Sequence, residues 1–158
     1  MEHPPLWHEV LVELRRIIRA TDLQSKRMVK ACGLTIPQVM VLRAIADLGD
    51  VTVRRVAAHV SLSQATVTTI LNRLESRDLV TRVRSETDKR VVNARLTESG
   101  NAVLASAPTL LHEKFIERFD GLDRQQQGAI LTALRSVAEM MDADTIDASP
   151  LLDVSQPG

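Results

Sequence analysis

The 158-residue chain has few aromatic residues, one cysteine and no excess charge of either sign. It contains no tyrosine, and its 20 Lys and Arg residues balance its 20 Asp and Glu residues. The single cysteine, Cys32, excludes a disulfide framework within the chain. The 44% hydrophobic and 25% charged fractions are those of an ordinary globular protein, and a chain of this length buries a core without such crosslinks.

Long apolar runs are also missing. No window approaches the roughly 20 apolar residues that a membrane-spanning helix needs. The opening Met1-Glu2-His3-Pro4-Pro5 lacks the basic and apolar regions of a secretory signal. We therefore expect a cytoplasmic protein.

The sequence carries no familiar catalytic motif. A phosphate-binding loop, Gly-x-Gly-x-x-Gly, His-Glu-x-x-His and Gly-x-Ser-x-Gly are all absent. Tetrahedral zinc needs three or four convergent ligands, and the histidines are scattered: His3, His8, His59 and His112. We expect no enzyme, no metal and no cofactor. Cys32 is interpreted as an inert, partly buried thiol, with a redox switch as the alternative.

Charge is unevenly distributed along the chain. Residues 54–95 carry nine basic and four acidic side chains, whereas residues 139–158 carry five acidic and no basic ones. A basic central segment is typical of a nucleic-acid contact surface, and a merely solvated face is the alternative. The acidic tail, residues 143–158, is expected to be extended or disordered and passive.

Apolar residues at three- and four-residue steps predict a first helix that ends near Gly33. Its apolar stripe consists of Trp7, Val10, Leu11, Leu14, Ile17 and Ile18. Thr35-Ile36-Pro37-Gln38 reads as a capping box that opens a second helix, which runs to Gly49. The positions of this helix expected to face the core are Val39, Leu42, Ile45, Ala46 and Leu48.

A helix-turn-helix follows. Thr52 is predicted to cap a third helix that runs from Val53 to about Val60, with Val56, Ala57 and Val60 inward. After a brief interruption Ser63 caps a fourth helix, whose buried stripe is Val67, Ile70, Leu71 and Leu74. Two helices joined by so short a turn match the DNA-binding helix-turn-helix.

The opposite face of the fourth helix carries small and polar side chains with few acids: Gln64, Ala65, Thr66, Thr68, Thr69, Asn72 and Arg73. Gln and Asn pair with adenine, Arg pairs with guanine, and the methyl groups of Ala and Thr pack on thymine. An ordinary solvent-facing helix shows Glu and Lys at such positions. This face is therefore interpreted as a recognition surface for the major groove.

After this helix the period changes from 3.6 to 2. Residues 79–84 and 91–96 alternate around the polar loop 85–90, which predicts a β-hairpin. An isolated two-stranded hairpin is only marginally stable in water, so this hairpin must pack on neighbouring helices. Its basic tip, with Arg84, Lys89 and Arg90, is placed to reach phosphates or a second groove. The predicted fold is mainly α with a small β-hairpin wing, a winged helix-turn-helix.

The chain resembles the MarR (multiple antibiotic resistance regulator) transcription factors over about residues 6–142. The motifs that carry the resemblance are Leu34-Thr-Ile-Pro-Gln38, Leu62-Ser-Gln-Ala-Thr-Val67, Leu71-Asn-Arg-Leu-Glu75, Asp88-Lys-Arg90 and Leu96-Thr-Glu-Ser-Gly100. The resemblance implies that Arg90 enters the minor groove and that Asp88 holds it in position. Two positions depart from the family pattern: Asp78 replaces a common Gly, and Asn72 replaces a common Asp.

The candidate DNA-binding residues fall into three groups. Phosphate contacts are assigned to arginines: Arg54, Arg55, Arg73, Arg77 and Arg84. Base readout is assigned to Gln64, Thr66, Thr68 and Thr69, and Ser63 is the expected cap of the recognition helix. The wing tip adds Asp88, Lys89 and Arg90.

The C-terminal third is predicted to form helices. Thr97 is the expected cap of a long helix that Pro108 kinks or splits. Asp123 opens the last helix, on which Ile130, Leu131, Leu134, Val137, Ala138 and Met141 are expected to face inward.

The terminal helices are richer in apolar residues than a small winged helix needs. The resemblance implies that they intertwine in a homodimer, which would place two recognition helices roughly 34–36 Å apart on an inverted-repeat operator. The predicted organisation within one structural domain is a dimerisation helix (1–33), a DNA-binding lobe (34–97), C-terminal dimerisation helices (98–142) and the acidic tail.

The predicted function is a DNA-binding repressor with a possible small-molecule effector. The resemblance places candidate effector contacts at Trp7, Arg15, Arg16, Met40 and Arg43, with ordinary packing as the alternative reading. Residues 147–150 and 63–69 resemble a branch that regulates compatible-solute (ectoine) synthesis. The alternative function is a winged-helix protein-interaction module that does not bind DNA.

Overall fold

The computed structural model describes residues 3–146, which form seven helices and three short strands. The helices are α1 (Leu6–Cys32), α2 (Ile36–Leu48), α3 (Val53–Val60), α4 (Gln64–Ser76), α5 (Glu98–Ser106), α6 (Leu111–Asp120) and α7 (Arg124–Met140). The strands are β1 (Val51–Thr52), β2 (Val80–Arg84) and β3 (Val92–Leu96). The chain divides into two compact units, one ending at Pro108 and the other beginning at Thr109.

The helix starts predicted in the first unit are confirmed. Thr35, Thr52 and Ser63 each accept a hydrogen bond from the backbone N–H three residues further on. At Thr35 the bond is reciprocated, because its own N–H donates to Gln38 Oε1 over 3.0 Å. Gly33 ends α1 with φ of 69°, a left-handed conformation that glycine adopts without a Cβ penalty.

The core of the first unit lies among α2, α3 and α4. The predicted inward stripes of α3 and α4 are all buried. The prediction that Ala46 faces the core is wrong, since Ala46 is exposed, and Leu48 is only half-buried. Ala46 follows the buried Ile45 by about 100° around the helix, which turns it to the solvent side. Val41 and Ala44 are buried instead, because α2 contacts α3, α4, α5 and β3.

The predicted hairpin is present as part of a three-stranded antiparallel sheet in the order β1-β3-β2. In β2 and β3 the register runs from Val80 opposite Leu96 to Arg84 opposite Val92. The two-residue β1 was not predicted, because it is too short to show an alternating pattern. Arg95 of β3 forms a two-bond ion pair with Asp50, just before β1, and its Nε donates over 2.6 Å. This pair lowers the pKa of Asp50 chiefly through the hydrogen bond.

The base of the wing is joined to α5 by a close backbone contact. Thr97, the confirmed N-cap of α5, donates its N–H to the Leu79 carbonyl over 3.1 Å and its hydroxyl to the Asp78 carbonyl over 2.6 Å. A Cβ on Gly100 would lie 2.0 Å from the Leu79 carbonyl oxygen. Asp78 itself has φ of 58°, so this residue turns the chain from α4 into the wing.

The second unit contains α6 and α7. The predicted break near Pro108 is confirmed, since α5 ends at Ser106 and α6 begins at Leu111. Asp123 caps α7 by accepting from Gln126 N over 2.8 Å, as predicted. Gln127 Nε2 donates to the Phe119 carbonyl over 2.9 Å, which ties α7 to the end of α6.

The prediction that the apolar stripe of α7 faces inward is wrong for the single chain. Val137 and Ala138 are half-buried, whereas four members are 37–58% exposed: Ile130, Leu131, Leu134 and Met141. Within the part of this unit that the structure describes, α6 is the other helix, and one short helix is too small to cover a 17-residue one.

Each helix among residues 3–146, taken alone, falls short of the length and hydropathy of a membrane-spanning helix. Helices α1 and α2 together have the length and composition of a span, but the chain bends by 65° between them. The same residues contain no group of three or more His, Cys, Asp or Glu side chains that would hold a metal ion. Cys32 is half-buried, and its thiol donates to the Met28 carbonyl over 3.2 Å.

Gly100→Ala is expected to destabilise the protein by about 1–3 kcal/mol, because the new Cβ would overlap the Leu79 carbonyl oxygen. Urea unfolding followed by circular dichroism measures the effect. The matched control is Gly128→Ala in α7, where a Cβ would have no neighbour within 4 Å. Alanine favours a helix, so the control should gain about 0.5–1 kcal/mol. Equal effects of the two substitutions would contradict the assigned contact.

Candidate nucleic-acid interface

The candidate interface begins with the exposed face of α4. Gln64, Thr68 and Asn72 are exposed and succeed one another at four-residue steps, so they share one side of the helix. Ala65 and Thr69 widen this side and are exposed as well. The buried stripe on the other side packs α4 against α2 and α3. Helix α4 therefore presents a face of neutral polar and small side chains to solvent.

The start of α4 is held by its own side chains. The Thr66 N–H donates to Ser63 Oγ over 3.1 Å, and the hydroxyls of these two residues lie 2.8 Å apart. Thr66 is half-buried. Ser63 and Thr66 therefore fix the first turn of α4, which carries the exposed Gln64.

The turn between α3 and α4 is tight. Ser61 has φ of 56°, and the N–H of Leu62 donates to the Ala57 carbonyl over 2.9 Å. Arg54 and Arg55 lie in the first turn of α3, and both are exposed. The turn thus brings two cations into the same helix-turn-helix as the polar face of α4.

The tip of the wing is a hydrogen-bonded loop. Ser85 Oγ accepts from the backbone N–H groups of Thr87 and Asp88, and Asp88 Oδ1 accepts from the Arg90 N–H over 3.0 Å. Asp88 contacts the backbone of Arg90, so the ordered loop leaves the Arg90 side chain exposed. Lys89 and Arg84 are exposed as well, which gives the tip three accessible cations.

An ion pair joins α4 to the wing. Arg82 of β2 donates from Nε to Glu75 Oε2 over 3.0 Å and from Nη2 to Oε1 over 3.2 Å. The hydrogen bond from Arg82 lowers the pKa of Glu75, and its partner raises the pKa of Arg82. Because Glu75 is the single acidic residue of α4, this pair neutralises the one negative charge on the helix.

Sequence reasoning missed the Glu75–Arg82 pair, although a signal for it was available. Strand alternation puts Arg82 on the same face of β2 as Val80, which is buried. A long cation on the face that packs against the helices needs a partner there. The acid on α4 was the natural candidate.

The remaining predicted arginines lie near the other end of α4. Arg77 donates from Nη1 to the Gly33 carbonyl over 2.8 Å and so ties the end of α4 to the end of α1. Arg73 is half-buried. Arg73 lies in α4 one turn beyond Thr69, and Arg77 directly follows the helix, whereas the other predicted residues lie on α3, the first turns of α4 and the wing.

Two of the predicted effector contacts have partners within the first unit. Arg43 donates from Nη2 to the Pro108 carbonyl over 3.1 Å, and Arg16 pairs with Glu13 over 2.7 Å on exposed α1. A depression of about 210 Å³ lies elsewhere, lined by Ile45, Ala46, Gly49, Asp50, Arg95, Leu96 and Asn101. It contains none of the expected contacts and is smaller than a usual small-molecule site, about 300–1,000 Å³.

The MarR family model matches residues 34–92. The transcriptional regulator MgrA of Staphylococcus aureus is 37% identical over 79 residues, which is 50% of this chain and 54% of MgrA. Residues 34–92, matched by the family model, contain the helix-turn-helix and most of the wing.

Solved structures agree over a longer part of the chain. The regulator PcaV of Streptomyces coelicolor, in complex with its natural ligand, has a TM-score of 0.58 at 26% identity and covers 89% of this chain and 99% of its own. FabT of Streptococcus pneumoniae, in complex with DNA, has a TM-score of 0.53 at 25% identity, covering 86% and 97%. MgrA and PcaV are transcriptional regulators, and residues 34–92 of this chain, its helix-turn-helix and most of its wing, match the MarR family.

Proposed function

We propose that the chain is a homodimeric, sequence-specific DNA-binding repressor that occupies an inverted-repeat operator. The observation that carries the proposal is the surface made by α4 and the wing. It combines a polar recognition face, whose single acid is neutralised, with exposed cations at the start of α3 and at the wing tip. Such a surface provides phosphate contacts for affinity and base contacts for specificity.

Each group of residues has a separate role in this proposal. Gln64, Thr68 and Thr69 read base edges in the major groove, while Ser63 and Thr66 hold the first turn in place. Arg90 enters the neighbouring minor groove, positioned by Asp88. The phosphate contacts come from Arg54, Arg55, Arg84 and Lys89, with Arg73 and Arg77 at the far end of α4.

The homodimer is supported by exposed apolar side chains on the two terminal helices. On α1, Trp7, Ile17 and Ile18 are 57–63% exposed. On α7, in the other unit, Leu134 and Met141 are 49% and 58% exposed. Large apolar side chains left exposed on a helix mark an interaction site. We assign both helices to dimerisation, and a two-fold axis then sets the half-sites roughly 34–36 Å apart.

The release of DNA by a small molecule is the regulatory part of the proposal. FabT with bound DNA and PcaV with bound ligand are the structural relatives that support it. The assignment to compatible-solute synthesis and the cytoplasmic location stay predictions. Residues 147–150, which carry part of that assignment, lie outside the described residues, as does most of the acidic tail.

Selection of bound fragments from random duplex DNA, at 50 and 200 mM salt, tests the function directly. We expect an enriched inverted repeat and affinity that falls steeply with salt, because phosphate contacts release counterions. If no sequence is enriched at either salt, the proposal fails and the protein-interaction module becomes the better account.

Arg90→Ala should weaken binding to the selected operator by about 1–3 kcal/mol and leave the unfolding curve unchanged. The reason is that the exposed side chain contributes to DNA contact and not to the fold. Fluorescence anisotropy with labelled operator measures the loss. Arg124→Ala, at the exposed start of α7, removes the same charge from a helix that has no assigned DNA contact and should bind normally. A loss of the same size in both variants would show only a general charge effect.

Leu134→Glu should dissociate the dimer, because it places a charge in the apolar face assigned to the interface. Sedimentation equilibrium measures the mass in solution. The matched control is Thr132→Glu, which puts the same charge on the opposite, exposed side of α7. If the first variant keeps the mass of wild type, α7 is not part of the interface.

A further inference from the structure

Two arginines bind backbone carbonyls at the places where the chain joins α1 and α6. Arg77, which follows α4, donates from Nη1 to the Gly33 carbonyl over 2.8 Å, just past the end of α1. Arg43 of α2 donates from Nη2 to the Pro108 carbonyl over 3.1 Å, in the break between α5 and α6. These bonds join residues that are 44 and 65 positions apart in the chain. Because α2 and α4 both belong to the DNA-binding lobe, the lobe is tied at both of these connections.

The end of α1 has room for the Arg77 guanidinium. A Cβ on Gly33 would lie 3.3 Å from Arg77 Nη2, so the guanidinium lies directly against the glycine. The last carbonyls of a helix have no partner within it, and they carry the negative end of the helix dipole. A cation that comes from the end of α4 therefore stabilises the end of α1.

Few other side chains fix α1 to the lobe. Met28, close to the end of the helix, is the single buried residue among the 27 of α1. Leu34, which follows Gly33, is buried as well, and α1 also contacts α5. The other residues of α1 that the structure describes are exposed or half-buried. The angle between α1 and the lobe therefore depends on the last turns of α1, on α5 and on the bond from Arg77.

The place of the Arg77 bond makes the position of α4 sensitive to this angle. Arg77 lies at the end of α4, whereas the side chains assigned to base readout begin at the opposite end with Gln64. A helix of 13 residues is roughly 20 Å long, so a rotation of about 10° about the tied end moves its start by about 3.4 Å. That distance is about the rise of one base pair, roughly 3.4 Å. A small change in the angle between α1 and α4 therefore shifts the start of α4 by a whole base pair.

We propose that Arg43 and Arg77 are positioning residues, which fix the angle between the DNA-binding lobe and the dimerisation helices and so fix the half-site spacing that the dimer accepts. The inference rests on the proposed homodimer and its inverted-repeat operator. It gives Arg77 a role beyond the phosphate contact assigned above. A positioning residue changes which spacing is bound, whereas a phosphate contact changes the affinity for every spacing.

The test measures affinity, by fluorescence anisotropy, for the selected operator and for versions with one or two base pairs inserted or removed between the half-sites. Wild type should lose roughly 10-fold or more on a change of one base pair, since the dimer can no longer engage both half-sites at once. For Arg77→Ala and Arg43→Ala the same change should cost about three-fold or less, because the freed lobe reaches the displaced half-site. Arg77→Lys and Arg43→Lys each keep a cationic donor and should restore the wild-type profile.

Arg73→Ala is the matched control, because Arg73 lies one turn before Arg77 on α4 and is assigned to a phosphate contact. It should weaken binding to every spacing by a similar factor and leave the spacing profile unchanged. Sedimentation equilibrium and urea unfolding check that each variant is a folded dimer.

The inference is overturned if either Arg77→Ala or Arg43→Ala keeps the wild-type profile, or if wild type binds all spacings equally. In these cases wild type still selects an operator, and the proposed function stands. A variant that dissociates into monomers also overturns the inference, because the arginine would then maintain the dimer and not the spacing. If wild type selects no sequence, the proposed function fails and this inference fails with it.

Discussion

The contact between the Leu79 carbonyl and the start of α5 fixes where the wing leaves the helical lobe. Thr97 donates its N–H to this carbonyl, and Gly100 admits the same oxygen at a distance where any side chain would collide. The left-handed Asp78 brings the chain to this point, and the Thr97 hydroxyl binds the Asp78 carbonyl. The orientation of the β-hairpin, and with it the position of the basic tip, depends on this junction.

A second connection turns α4 and the wing into one surface. Glu75 and Arg82 are partly exposed, so their ion pair contributes little to the free energy of unfolding. Its effect is geometric and electrostatic, since two parallel hydrogen bonds hold β2 beside α4 and cancel the acid of the helix. In the proposed complex, α4 and the wing meet DNA with their cations and polar groups already in place.

Local signals in the sequence predicted most of the fold correctly. Thr35, Thr52, Ser63, Thr97 and Asp123 cap helices because their side-chain oxygens reach free N–H groups at helix starts, which is a property of a few adjacent residues. The break at Pro108 and the hairpin are equally local. The MarR resemblance was confirmed by the family model and the solved structures.

Features that depend on distant residues were missed or misjudged. The pairing of β1 with β3 joins residues about forty positions apart, and the bond from Arg77 to Gly33 spans a similar separation. The two-residue β1 leaves no periodic trace. The apolar stripe of α7 was expected to lie inside the chain. Apolar spacing predicts that a helix face will be buried, but it does not identify the element that buries it. The DNA-binding roles of the individual residues stay predictions, since they belong to a complex.

The central claim is that α4 and the wing contact neighbouring grooves of the same DNA. Dimethyl sulfate footprinting of the selected operator tests it directly, because the reagent methylates guanine N7 in the major groove and adenine N3 in the minor groove, atoms that report the two grooves separately. The account predicts protection of guanine N7 within each half-site and of adenine N3 beside it, both symmetric about the dyad. Protection confined to one groove, or no protection, would contradict it.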